Sequence, residues 1–91
     1  MATLSTKKKM VSSIIKEGLR LKKIALTHSL SNYLSELETF EKKYKMKSEA
    51  FLKKYEMGIL GDKAPWFEWI FIYQAMQKTK EKLNLLKTIK L

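Results

Sequence analysis

The chain contains no cysteine and a single histidine, His28. The first absence excludes disulfides, thiolate zinc ligands and a cysteine nucleophile, and it fits a reducing compartment. The second leaves no material for a multi-histidine metal site. Glycine occurs three times and proline once in 91 residues, too few for the many turns of a sandwich or barrel. Arginine occurs once, as Arg20, among 19 basic residues. Because arginine is the usual reader of base edges, any nucleic-acid contact is expected at the backbone. Long apolar runs are missing too. The longest is Trp69 to Tyr73, against the roughly 20 residues needed to span a bilayer. The basic opening, MATLSTKKKMVSSIIKEG, lacks the apolar core of a secretory signal. A cytoplasmic protein is expected.

What the chain does contain is lysine, leucine, glutamate and methionine, a composition that points to helices. Its length allows one domain. A chain this short buries only about 60 to 65 % of its unfolded surface, so a lone monomer has little stability in reserve. The net charge of +10 is concentrated at the ends. Residues 1–25 hold seven basic residues and one acidic residue, whereas residues 48–64 are balanced at three and three.

Periodicity outlines three helices. From about Lys8 to Tyr44 there is no proline and only Gly18 interrupts. Leu26, Leu30, Tyr33, Leu37, Phe40 and Tyr44 recur at alternating spacings of four and three, one helical face held for five turns. Earlier in the same span Val11, Ile14, Gly18, Leu21 and Ala25 form one stripe, and Ile15, Leu19 and Leu26 a second beside it. Two adjacent stripes suggest more than one neighbour. Whether the helix runs through Gly18 stays open at this point. Residues 44–47 read as a connection, with Ser48 as cap of a short helix, SEAFLKKYEM, that Gly58 ends in a left-handed conformation. Gly61, Asp62 and Pro65 mark the next turn. A final helix then runs from Trp66 to about Ile89, with Ile72, Met76, Thr79, Leu83 and Leu86 on one face. The expected fold is all-α: a single helical domain over residues 1–91, built as a hairpin of two long antiparallel helices with a short connecting helix. Residues 1–7 are expected to be a disordered basic arm.

The stretch WFEWIFIY, residues 66–73, is apolar nearly all round when wound as a helix. Such a segment is enclosed. Two covers are available: a second copy of the chain, or the short middle helix folded over it. The first predicts a homodimer forming a helical bundle or coiled coil, with Trp66, Phe67, Trp69, Ile70 and Tyr73 at the partner interface.

Candidate chemistry is sparse. Lys7, Lys8 and Lys9, followed by Lys16, Arg20, Lys22 and Lys23, form a basic region able to neutralise phosphates. The competing reading is a solvated lysine face in a lysine-rich protein. The aromatics of 66–73 could stack bases, but stacking platforms interleave with basic residues, and here the nearest are Lys63 and Lys78. His28 near Ser31 lacks the strand-to-helix elbow and oxyanion glycines of a hydrolase. Glu36, Glu38 and Glu41 read as a solvated face without a pocket. No phosphate loop or metal spacing is present, so no catalytic residue, cofactor or metal is expected. A lysine-rich amphipathic helix can lie on anionic lipid, yet the matched apolar repeats favour packing between helices over a membrane surface.

The segment KKYKMKSEAFLKKYEMGILGDKAPWFEWIFIYQAMQKTKEKL resembles the small helical antitoxin-like proteins of bacterial and archaeal toxin–antitoxin pairs. The resemblance spans about residues 37–83 and is carried by Tyr44, Met46, Phe51, Tyr55, Gly58, Asp62, Phe67, Glu68 and Trp69. Lys45 stands where such proteins usually have glycine before the methionine. The strongly basic chain also departs from antitoxins that are acidic where they block a basic nuclease. The resemblance implies a helical, dimeric protein that binds a toxin through apolar surface and represses its own operon. The function expected on these grounds is a non-enzymatic, antitoxin-like partner binder, with nucleic-acid contact through its basic N-terminal helix. The alternatives are a general basic nucleic-acid-binding protein without a toxin partner, or a structural oligomerisation module.

Overall fold

A computed structural model describes residues 2–89, with side chains from Thr6 onward. Three helices follow in order: α1 (Ala2–Tyr44), α2 (Ser48–Glu56) and α3 (Ala64–Thr88). The two long ones lie side by side and antiparallel, the short one folds over the connected end, and no strand occurs among the described residues. The molecule measures 68 × 21 × 18 Å. Its long axis is the length of α1, about 65 Å at 1.5 Å per residue.

The N-terminal arm expected to be disordered over residues 1–7 is helical from Ala2 on, and Met1 lies outside the described residues. The sequence explains the difference. Nothing before Gly18 breaks a helix, and once a helix is nucleated each further residue adds a hydrogen bond. Gly18 does not interrupt α1 either. Its cost of about 1 kcal/mol relative to alanine is too small to end a helix that continues on both sides.

Each helix end has a physical cause. At the end of α1, Lys45 adopts the left-handed conformation, φ +53°, and the Met46 N–H donates to the Glu41 carbonyl at 3.2 Å. That conformation costs a side-chain-bearing residue about 1–2 kcal/mol, and glycine almost nothing. At the end of α2, Gly58 does the same at φ +76°. There the Ile59 N–H donates to the Lys54 carbonyl at 3.1 Å and the Gly58 N–H to the Tyr55 carbonyl at 3.0 Å, the paired bonds of a Schellman stop. Pro65 sits in the first turn of α3, where its missing N–H leaves no bond unmade. Ser48 corrects an expectation. It is the first residue of α2 and its side chain makes no capping bond, because that side chain is buried and engaged elsewhere.

The alternating stripes meet as their spacing predicts. Leu37, Ile72 and Met76 share one buried cluster with Phe51, Trp66 and Trp69, and Leu30, Tyr33, Phe40 and Tyr44 pack against it. Leu83, expected in the same layer, is buried outside that cluster. Phe40 stacks on Trp69 with ring centroids 5.4 Å apart, and the Tyr44 ring meets Trp66 edge-on at 4.8 Å. At the far end of α3, Leu86 and Ile89 lie beside Leu19, Arg20 and Lys23 of α1. The pairing of the long helices stops there. Residues 2–15 run on past the end of α3 for about 20 Å.

The expectation that 66–73 is enclosed holds for Trp66, Trp69 and Ile72, which the chain itself covers, and not for Phe67 and Phe71, which stay exposed. Phe51 of α2 lies flat on Trp69, centroids 3.9 Å apart and planes within 1°. Both side chains are 0 % exposed. A dimer interface through Trp66 and Trp69 is therefore corrected: α1 and α2 already cover these rings, and nothing of Trp69 is left for a second chain to touch.

Candidate binding surfaces

A polar chain ties the three helices together at the closed end. The Trp69 indole N–H donates to the Ser48 hydroxyl at 3.0 Å. That hydroxyl donates in turn to the Glu41 carboxylate at 2.9 Å, and the Ser48 N–H donates to the same oxygen at 2.8 Å. Glu41 thus stabilises the start of α2, one of whose first N–H groups would otherwise be unpaired. Among the described residues no buried side-chain nitrogen or oxygen lacks a partner. The expected solvated carboxylate face therefore needs correction at Glu41. Glu38 and Glu41 line a shallow open depression with Lys42 and Met46. Both carboxylates there are already engaged, Glu41 by Ser48 and Glu38 by Lys42 at 2.9 Å. The hydrogen bond to the Lys42 ammonium, and then its charge, hold the Glu38 carboxyl below the usual carboxylate range. Sequence reasoning missed the Glu41–Ser48–Trp69 chain. Its only trace is the position of Glu41 directly after the core residue Phe40.

The basic candidates divide by face. Lys16, Arg20 and Lys23 line one shallow groove beside the end of α3, and Lys8, Lys9 and Lys16 line the next depression along α1. Lys9, Lys16 and Lys23, seven apart, form with Arg20 one basic strip along α1, bordering the end of α3. Lys8 and Lys22, fourteen apart, share another side of the helix, and Lys7 lies on the stripe of Ile14 and Leu21. Lys7 to Lys9 are held at helical spacing within α1. Arg20 is partly occupied, since its guanidinium donates to the Glu17 carboxylate at 2.8 Å. That bond and the opposite charge raise the Arg20 pKa and lower that of Glu17.

The apolar candidates divide as well. Trp66 and Trp69 are core, Ile70 and Tyr73 are half-buried against it, and Phe67 remains exposed. Phe71, one turn beyond Phe67, is exposed too, as are Met57 and Ile59 in the loop after α2. Their spacing of four puts Phe67 and Phe71 together on the side of α3 away from α1, a signal present in the sequence but hidden by the general apolarity of the stretch. A second apolar surface lies on α1: Met10, Val11, Ile14, Ile15, Leu21 and Ile24 are each between 45 and 67 % exposed.

Among the described residues no group of acidic or histidine side chains is placed to hold a metal ion. No helix among them is long and apolar enough to cross a membrane. Compared with protein-family models, with curated proteins and with solved structures, the chain matches none.

Proposed function

We propose that this chain is a non-enzymatic binding protein of the cytoplasm, the antitoxin-like member of a toxin–antitoxin pair, which meets nucleic acid through the basic strip of α1. The observation that carries the reading is that strip. Lys9, Lys16, Arg20 and Lys23 stand in solvent along one side of α1, beside and beyond the end of α3. A straight helix with a line of ammonium groups can follow a phosphate backbone without reading bases. The uncovered Phe67 and Phe71 supply apolar surface for a protein partner.

Two measurements test the two halves of the proposal. Random-sequence duplex DNA is titrated at several salt concentrations with the wild type and with the Lys16→Gln/Arg20→Gln/Lys23→Gln variant. The slope of log affinity against log salt should flatten by roughly 2 to 3 in the variant, at about 0.9 per phosphate contact. Equal slopes remove this face from the mechanism, and absence of binding by the wild type removes nucleic acid altogether. For the protein partner, the products of the flanking genes are expressed in cells with and without this chain. Growth arrest relieved by the chain supports the pair, and no effect on growth overturns it. Should only the first test succeed, the chain is a basic nucleic-acid-binding protein without a toxin. The second reading draws its support from the fact that the strip stands apart from the apolar surface at Phe67 and Phe71.

A further inference from the structure

The N-terminal half of α1, beside and beyond the end of α3, carries a feature independent of the partner reading. Val11, Ile14, Gly18, Leu21 and Ala25 are spaced three, four, three and four apart, the repeat of a coiled-coil seam. The stripe lies roughly a third of a turn around α1 from the face that packs on α3, so α3 cannot cover it. Val11, Ile14 and Leu21 are more than half exposed, and nothing lies within 4 Å of the position a side chain at Gly18 would take. Met10 flanks the stripe and widens it, whereas Ile15 and Ile24, nine residues apart, stand on opposite sides of α1.

We propose that this seam is closed by a second copy of the chain, with the two α1 arms crossing antiparallel about Gly18. The pattern is self-complementary in that sense. Val11 and Ala25 lie seven residues either side of Gly18, and Ile14 and Leu21 lie four before and three after. A two-fold axis at Gly18 sets Val11 opposite Ala25 of the second copy, a large residue facing a small one, and sets Ile14 opposite position 22, next to Leu21. The paired glycines let the helices approach closely at the crossing. Symmetry repeats every contact, as an isologous dimer requires.

The area fits a weak association. At roughly 100 Å² of exposed surface each, Met10, Val11, Ile14 and Leu21 give on the order of 400 Å² per chain, or about 800 Å² for a symmetric pair, within the range of transient contacts below about 1,200 Å². Lys9, Lys16 and Lys23 recur every seven residues on the side of α1 opposite the seam, so they face outward in the pair. Lys7, seven before Ile14, and Lys22 stand at the seam and repel across it. Glu17, the acidic residue beside the seam, is already held by Arg20 of its own chain. In the dimer the basic strip appears on both outer faces.

The test uses the full chain, whose lack of cysteine permits site-directed cross-linking. By sedimentation equilibrium at high micromolar concentration the wild type should have twice the 10.7 kDa mass of one chain. Association should tighten with added salt, which screens repulsion between the arms, the opposite of the trend for DNA binding. Ile14→Lys/Leu21→Lys should weaken association about 100-fold or more while circular dichroism stays that of the wild type, because both side chains are solvent-exposed in one chain. Phe67→Lys/Phe71→Lys should remain dimeric. Mixed Val11→Cys and Ala25→Cys chains should oxidise to a cross-linked pair, and Val11→Cys alone should not. A monomeric wild type overturns the proposal, as does a dimer that survives the Ile14/Leu21 change. Ready self-linking of Val11→Cys shows a parallel pair and also overturns it.

Discussion

The two ends of α1 are made of similar material and meet opposite fates. Around Phe40 and Tyr44 the apolar face lies under Trp66, Trp69 and Phe51, and the polar chain from Trp69 through Ser48 to Glu41 is complete. Around Val11 and Ile14 an apolar face of the same spacing stands in water. Two causes account for the contrast: α3 has 25 residues and α1 has 43, so α1 outruns it, and the stripe from Val11 to Ala25 lies on a different side of α1 from the face that packs on α3. An amphipathic pattern therefore states that a face needs cover, and leaves open whether the same chain supplies it. The closed end is accordingly expected to hold the stability of the molecule and the open end its associations.

The largest effect that tests this contrast is expected at Trp69. Trp69→Ala removes the ring on which Phe51 and Phe40 stack, and should cost about 3–5 kcal/mol in a denaturant titration. For a domain of this size that is a large share of the total. Trp69→Phe keeps a flat ring and should fold, which separates loss of packing from loss of the chain to Ser48. Next is a matched pair on one helix. Leu37→Ala should cost about 2–5 kcal/mol, whereas Ile14→Ala, measured dilute, should stay within about 0.5 kcal/mol of the wild type. Comparable losses at both positions would show that the open end is covered within the single chain.

Smaller effects sharpen the account of the closed end. Ser48→Ala leaves the buried Trp69 N–H without an acceptor and the Glu41 carboxylate without a donor hydroxyl, so a cost of about 1–3 kcal/mol is expected. A neutral result would mean that water replaces the hydroxyl and that the polar chain does not bind the helices together. Lys45→Gly relieves a left-handed side-chain-bearing residue and should raise stability by up to about 1 kcal/mol, partly offset by the greater freedom of glycine in the unfolded chain. Smallest of all are the exposed pairs Glu17–Arg20 and Glu38–Lys42. Both carboxyls are held below their ordinary range, first by hydrogen bonds and then by the opposite charges. Their contribution is therefore present above the unfolded carboxylate pKa and lost as the pH falls through the lowered values. In full solvent it is slight. Glu38→Gln should unfold at the wild-type midpoint at neutral pH, and a clear drop would show that the pair is sheltered.

Much of the fold was legible from spacing. The stripe from Leu26 to Tyr44 and the stripe from Ile72 to Leu86 located both long helices and their shared core, and Gly58 marked the stop of α2 by the conformation it adopts. The binding surfaces were legible only in part. The face shared by Lys16, Arg20 and Lys23 follows from helical geometry, but Trp66 and Trp69 were expected at a partner interface and are core. An apolar stretch reads the same whether a second chain or the chain's own short helix covers it. Glu41 was invisible for a related reason. A glutamate beside a core stripe looks solvated until a backbone N–H and a hydroxyl arrive from another helix.

By itself, then, the sequence determined local matters: which segments wind into helices, where each stops, which sides are greasy and where the lysines stand. Those depend on contacts within a few residues, through turn geometry, side-chain spacing and the conformational freedom of single positions. Only the tertiary structure decided that α2 folds back to lay Phe51 on Trp69, that Ser48 bridges an indole and a carboxylate, and that the seam around Gly18 stays open. These outcomes depend on how far one helix extends along another and on groups brought together from distant parts of the chain. No local preference encodes them, because burial is a property of the pair of surfaces that meet.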